Sequence, residues 1–282
     1  VEDHSLINAL ANNLPAPFDK VLSRSLPKKN QLYTYRHQTE LVVVFYNPIG
    51  VDQMLPKRLQ PTQIEALGRQ LAEFHRACTS LTNILPDWSK TLRRDMTDLA
   101  LWLKEPEGQF HHRGRIAVIQ QQMDLFERNT EALGAHAWQP IPVFIDWNIG
   151  NFSVTRELQF FSRWDYDWFR MSSRVFDFYF FSRVCSRAGD RSVFSYDLDT
   201  LLEDGFARFL AAYHEVYPIT REELEFVPEA YRFFILNYVV KHRRYFFQDV
   251  YASKLEREAF TRYFPQLQQG LDVERLAKAC GL

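Results

Sequence analysis

Asp146, Asn151 and Asp165 are the residues of this chain whose types and spacing could do chemistry. Asp146 and Asn151 sit in the run Val143-Phe144-Ile145-Asp146-Trp147-Asn148-Ile149-Gly150-Asn151-Phe152-Ser153-Val154, and Asp165 ends the aromatic run Phe160-Phe161-Ser162-Arg163-Trp164-Asp165. A carboxylate can orient or deprotonate a hydroxyl nucleophile. An amide oxygen and a second carboxylate are the hard donors that magnesium prefers. Metal-dependent phosphoryl transfer uses such a set in this order, because its loose, highly charged transition state is stabilised by positioning and by metal electrostatics. An Asp-x4-Asn pair alone is expected by chance in a chain of this length, so its setting matters. Apolar residues 141–145 lead in and 152–154 lead out, and the turn between them would project Asp146 and Asn151 towards one point at a sheet edge. Both residue types also satisfy backbone donors in turns, so a purely local role stays open. Asp167 could serve in place of Asp165. Asp177, in Val175-Phe176-Asp177-Phe178-Tyr179, opens an apolar helix and reads as a cap or a loop tether.

The elements that must hold these residues follow from periodicity. Leu6, Ile7, Leu10 and Ala11 recur at helical spacing until Leu14-Pro15-Ala16-Pro17 stops the helix. Two β-prone runs, residues 32–36 and 41–46, read as a hairpin through His37-Gln38-Thr39-Glu40, and Asn47-Pro48-Ile49-Gly50 then serves as a linker. Beyond Pro61 the chain turns helical. Thr62 and Glu65 suggest a capping box, and Ile64, Leu67, Gly68, Leu71, Phe74, His75 and Cys78 share one face. His75 reads as a hydrogen-bonded core histidine, His111-His112 as exposed loop, and Lys241-His242-Arg243-Arg244 as a solvated helix face. A helical stretch over 91–134 breaks near Pro106 and Gly108. Residues 142–166 are the only later part that reads as strand, and apolar helices follow.

The 282 residues are 46% hydrophobic and 24% charged, as in ordinary globular proteins, and the formal net charge of −1 argues against nucleic-acid binding. Aromatic content is high at 15%. No apolar run approaches the length of a membrane span. Three scattered cysteines fit neither a metal site nor a disulfide framework, and suggest a reducing, cytoplasmic location.

Taken together these motifs resemble the aminoglycoside phosphotransferase and choline kinase-like family, which shares the protein-kinase fold. That family carries H-G-D-x4-N, then a strand ending I-D-[WF], then D-x-x-x-[YF]-D-[LF]. Leu67-Gly68-x2-Leu71-Ala72-x-Phe74-His75 is similar to its L-G-x2-L-A-x-L-H helix, and Tyr217-Pro218-Ile219-Thr220-x-Glu222-Glu223 to its P-L-T-x-E-E segment. The resemblance implies an α+β fold in which a partial N-terminal β lobe, residues 1–47, is hinged to a mainly helical C-terminal lobe, residues 48–282. It implies Asp146 as the catalytic residue, Asn151 and Asp165 as magnesium ligands, and Asp177 as a structural residue. Val44, Phe45 and Tyr46 would bind ATP at the hinge. Trp147, Asp167 and Trp168 would wall a site for a small-molecule hydroxyl acceptor, with Tyr166 and Phe169 nearby. Two departures stand out. Phe144 and Ile145 replace the loop histidine and glycine, and Val1-Glu2 aligns with the start of the helix whose Glu pairs the nucleotide-binding Lys. The glycine-rich loop and that Lys would then lie upstream. A kinase-like module that binds without catalysing is the alternative expectation.

Overall fold

In the computed structural model, which describes residues 2–28, 31–32, 34–37, 41–86, 88, 90–189 and 195–282, a short β-bearing lobe leans on a helical one. Helix α1 (Glu2–Asn13) buries Leu6, Ile7, Leu10 and Ala11, the residues picked out by their spacing. Strands β1 (Pro27–Lys28) and β2 (Gln31–Leu32) pair antiparallel, as do β3 (Thr34–His37) and β4 (Leu41–Val44), with Thr34 opposite Val44. The connection at 38–40 lies outside the described residues. Backbone bonds from Leu26 N–H to the Phe45 carbonyl (2.7 Å) and from Asn47 N–H to the Arg24 carbonyl (2.8 Å) tie residues 24–26 to the end of this hairpin.

The helical lobe begins with α2 (Pro61–Thr79). Its capping box is made by Gln60 and Gln63, not by Thr62 and Glu65. Proline at the first helical position, where no N–H partner is needed, pulls the start forward and leaves Thr62 inside the first turn. Gly68 lets α2 lie against α7 (Asp204–Val216), because a Cβ there would come within 2.4 Å of the Phe209 carbonyl. Helices α3 (Leu92–Trp102), α4 (Pro106–His111) and α5 (Ile116–Ala132) fill the expected helical stretch, but its breaks fall at 103–105 and 112–115, and Pro106 and Gly108 lie within α4.

Four short strands follow: β5 (Ile141–Val143), β6 (Phe152–Val154), β7 (Phe160–Arg163) and β8 (Arg170–Ser172), so strand structure continues past residue 166. β6 pairs with β7 and β5 with β8, all antiparallel. Isolated bridges extend the β6–β7 hairpin at both edges, Gln53 to Val154 and Leu22 to Arg163. A 3-10 turn at Arg174–Asp177 leads into α6 (Phe178–Val184), every residue of which is buried. The Thr220–Glu223 capping box is present at the start of α8 (Arg221–Glu225).

Two expectations are corrected here. His112 is fully buried against Trp102 and lies 2.9 Å from the buried Glu256, so that pair of histidines is not a free loop. Lys241 reaches the Asp95 carbonyl at 3.3 Å and Arg243 pairs with Glu256, so this basic cluster is not a solvated face. In both cases a segment more than a hundred residues away packs a carboxylate residue against these side chains, which local sequence does not reveal. All three cysteines are free, and among the described residues no helix is long and apolar enough to cross a membrane.

Candidate active site

The segment between β5 and β6 is held by a single carboxylate. Asp177 Oδ1 accepts the backbone N–H groups of Phe144 (2.9 Å) and Ile145 (2.6 Å). Its Oδ2 lies 3.0 Å from His75 Nε2, and His75 Nδ1 lies 2.7 Å from the Tyr213 hydroxyl. His75 is completely buried, which pushes its pKa down and keeps the ring neutral. The arrangement then fixes the tautomer: Nε2–H donates to Asp177 and Nδ1 accepts from Tyr213. A chain of contacts thus runs from α7 through α2 to the loop.

That tether sustains an uncommon backbone. Ile145 has φ +61°, and the Asp146 N–H turns back to the Phe144 carbonyl at 2.6 Å. A non-glycine residue in this left-handed region costs on the order of 1–2 kcal/mol. The two Asp177 bonds supply the constraint, and burial of the Ile145 side chain, 1% exposed, favours the same geometry. Phe144, also fully buried, packs against Phe74, Trp147, Tyr166 and Phe169.

Below the loop lies Arg163, also fully buried. Its guanidinium donates to the backbone carbonyls of Asp146 (3.0 Å), Asn151 (3.3 Å) and Asp165 (2.7 Å). It lies over the rings of Phe144 and Trp147, each at 5.1 Å, and Tyr166 at 5.8 Å. Asp165 itself has φ +64°. One side chain therefore gathers the backbones of the three residues that sequence spacing singled out.

The side chains have different outlooks. Asp146 Oδ1 accepts both the backbone N–H of Asn148 (3.3 Å) and its amide Nδ2. Burial pushes the Asp146 carboxyl up to about 6; the Arg163 charge opposes this and the Asp165 charge adds to it. Asp165 is exposed, and its carboxylate accepts a long 3.4 Å bond from the Asp167 N–H. Burial and the neighbouring Asp165 also raise Asp167. Asp146, Asn148, Asp165, Asp167, Trp168, Arg183 and Tyr196 are among the residues that line a cleft of about 160 Å³. Asp167 and Phe246 are shared with an adjoining groove of about 470 Å³.

Asn151 does not line that cleft, and its amide nitrogen turns to the Asp146 carbonyl at 3.3 Å. Of the expected acceptor wall, Asp167 and Trp168 face the cleft. Trp147 does not: it is 0% exposed, stacked on Phe160 and set against Phe152 and Phe181. The turn at Ile145 reverses the chain and sends the next large ring into the core. Tyr166 is also turned inward, its hydroxyl donating to the Arg163 carbonyl at 2.9 Å, and Phe169 borders the adjoining groove. At the hinge, Phe45 is 38% exposed and Val44 half-buried, while the Tyr46 hydroxyl meets His4 Nδ1 at 2.5 Å. Because the Phe45 carbonyl and Asn47 N–H face residues 24–26, strand alternation turns the Tyr46 amide group to the opposite edge.

Among the described residues no three His, Cys, Asp or Glu side chains converge as a metal cage. A cation here would rest on Asp165, an amide oxygen, water and the phosphates of a substrate. That donor set suits magnesium, which is commonly held by one or two carboxylates with phosphates and water. Asp165, with its exposed carboxylate on the cleft, fits the requirement. Sequence reasoning missed Arg163 and Asn148. The available signal for Arg163 was a lone cation inside an aromatic strand, two residues before Asp165.

No protein-family model and no curated protein sequence matches the chain. Solved structures do. The chain is similar to an aminoglycoside phosphotransferase from Alicyclobacillus acidocaldarius, with TM-score 0.53, 17% identity, and coverage of 100% of this chain and 84% of that one. An amicoumacin kinase solved with AMP-PNP and Ca2+ gives TM-score 0.61 and 13% identity over 98% of this chain and 80% of its own. A microcompartment-associated aminopropanol kinase gives 0.56 and 15% over 100% and 79%. The fold is therefore that of protein-kinase-like small-molecule phosphotransferases, an α+β arrangement of a partial β lobe and a helical lobe.

Proposed function

We propose that this protein transfers the γ-phosphoryl group of ATP to a hydroxyl of a small molecule in a magnesium-dependent reaction. The observation that carries the reading is the convergence of the Asp146, Asn151 and Asp165 backbones on one guanidinium, within a fold shared with phosphotransferases. The acceptor enters the cleft beside Asp167 and Trp168, and its hydroxyl meets the Asp146 carboxylate. Asp146 orients that hydroxyl for in-line attack and takes its proton. Asn148, bonded to Asp146 Oδ1, fixes the carboxylate plane and leaves Oδ2 for the acceptor. Asp165 and the Asn151 amide would hold Mg2+, which when bound neutralises charge on the phosphates. The hinge at Val44, Phe45 and Tyr46 offers its backbone edge to the nucleotide base. Asp177 bears on the chemistry only through the loop backbone that it holds.

The neutral acceptor, cationic acceptor and sugar possibilities share this reaction, since substrate choice resides in pocket shape and not in the fold. A thermal-shift titration of the full-length protein tests the cofactor assignment. Mg-ATP raises the melting temperature of the wild type, and Asp165→Ala loses most of that rise while melting within a few degrees of wild type without ligand. No stabilisation of the wild type, with Asp165→Ala indistinguishable from it, rejects the enzyme reading. Stabilisation without any product from a broad panel of hydroxyl compounds points instead to a kinase-like binding module, a reading favoured by the engaged Asn151 amide.

A further inference from the structure

We propose that Arg163 is a positioning residue: it locks the Asp146–Asn151 loop and the Asp165 turn into one rigid unit. This inference rests on the phosphotransferase reading above and goes beyond it, since it assigns the brace of the site to a strand residue outside the loop.

The geometry is specific to arginine. Three carbonyl oxygens from three separate stretches of backbone, those of Asp146, Asn151 and Asp165, are reached by two terminal nitrogens of one fork, at 2.7–3.3 Å. A lysine ammonium on a flexible stem has three donors but no planar fork, and cannot span such a set with the same order. The guanidinium is sealed by the faces of Phe144, Trp147 and Tyr166. Phe144 stands where the resembled loop has a hydrogen-bonding side chain, and it contributes a ring but no polar atom. The hydrogen bonds that bind loop to turn come from Arg163 instead, so packing and polar bracing are divided between two residues.

The same residue is anchored through its backbone from outside the site. The Arg163 N–H donates to the Val21 carbonyl (2.7 Å), and its carbonyl accepts from the Ser23 N–H (3.2 Å) and the Tyr166 hydroxyl (2.9 Å). The Tyr166 hydroxyl in turn meets Ser23 Oγ at 2.8 Å. Rigid backbone around Arg163 is what allows its fork to act as a fixed template for the three carbonyls. A buried cation held by dipoles and ring faces is costly unless these partners are all present. That requirement makes the arrangement all-or-none.

The test uses the full-length protein with Arg163→Lys and Arg163→Met, measuring melting temperature, Mg2+ midpoint by thermal shift with ATP present, kcat, and KM for the acceptor. A positioning role predicts that Arg163→Lys folds, while its Mg2+ midpoint rises about tenfold or more and kcat falls about 100-fold with acceptor KM within about threefold. In Arg163→Met, which keeps length but loses every donor, the fall in kcat is larger still at a similar acceptor KM, a split that loss of packing alone would not produce. Folded variants with unchanged Mg2+ midpoint and kcat overturn the proposal. Failure of both variants to fold also overturns it, since Arg163 would then be a general folding residue. A wild type that ignores Mg2+ and ATP removes the phosphotransferase reading itself, a result distinct from variants that behave like an active wild type.

Discussion

Asp146→Asn is expected to lower turnover about 10²–10⁴-fold, the range associated with loss of a positioned general base, and at the same time to raise stability at neutral pH. The second effect follows from linkage. The folded carboxyl is pushed up to about 6 from an ordinary 3.8, so the folded state binds this proton more tightly than the unfolded chain does. The charged form is therefore a burden on the fold. It is absent below about pH 4, grows as pH rises from 4 to 6, and is fully present above pH 6. A shift of this size corresponds to about 1–3 kcal/mol at 1.36 kcal/mol per unit. An asparagine keeps the shape and accepts from Asn148 without the charge. Denaturant melts at pH 7.5 should then show the variant more stable than wild type, and melts near pH 4 should show the two alike. Added Mg2+ narrows the gap at pH 7.5, because a nearby cation offsets the wild-type charge. The same titration sets the acid limb of activity: wild-type turnover declines as pH falls through about 6. A variant less stable than wild type at pH 7.5 would contradict this account of Asp146.

Asp177→Ala is expected to cost about 3–5 kcal/mol of stability and to abolish measurable turnover. It leaves the Phe144 and Ile145 N–H groups and the His75 ring without their acceptor, all inside the core. Each buried donor left unsatisfied costs on the order of 1–3 kcal/mol. It also removes the bonds that hold Ile145 at φ +61°, so the turn is free to relax and carry Asp146 away from the cleft. Asp177→Asn separates the two consequences. An amide oxygen still accepts from the loop, while its NH2 group faces His75 Nε2–H and forces the ring to change tautomer. Its stability loss should be less than half that of Asp177→Ala, measured by denaturant unfolding. Equal stability of wild type and Asp177→Ala would show that the tether is not what holds the loop.

Much of the site was legible because its residues combine a chemical type with a local pattern. Asp146 and Asn151 stand between two apolar strands, Asp177 opens a fully buried helix, and Gly68 marks the face where α2 meets α7. What sequence could not give was direction. Trp147 follows Asp146 directly and looked like an acceptor wall, yet the left-handed Ile145 sends it into the core. Local pattern gives no hint of that conformation, since an isoleucine is an unlikely residue to hold it. Arg163 was passed over for a related reason. Its partners are backbone carbonyls from three places in the chain, and carbonyls leave no trace in residue types. His112 and Lys241 were misjudged because their carboxylate partners, Glu256 and Asp95, are more than a hundred residues away.

The central claim is that this loop, with its phenylalanine and isoleucine, still supports phosphoryl transfer. It is tested most directly by incubating the full-length protein with γ-labelled ATP, Mg2+ and a panel of small hydroxyl compounds, and following where the label goes. Label is expected in at least one acceptor, dependent on Mg2+ and lost in Asp146→Asn. Label that stays on ATP with every acceptor, or transfer that Asp146→Asn carries out as well as wild type, would contradict it.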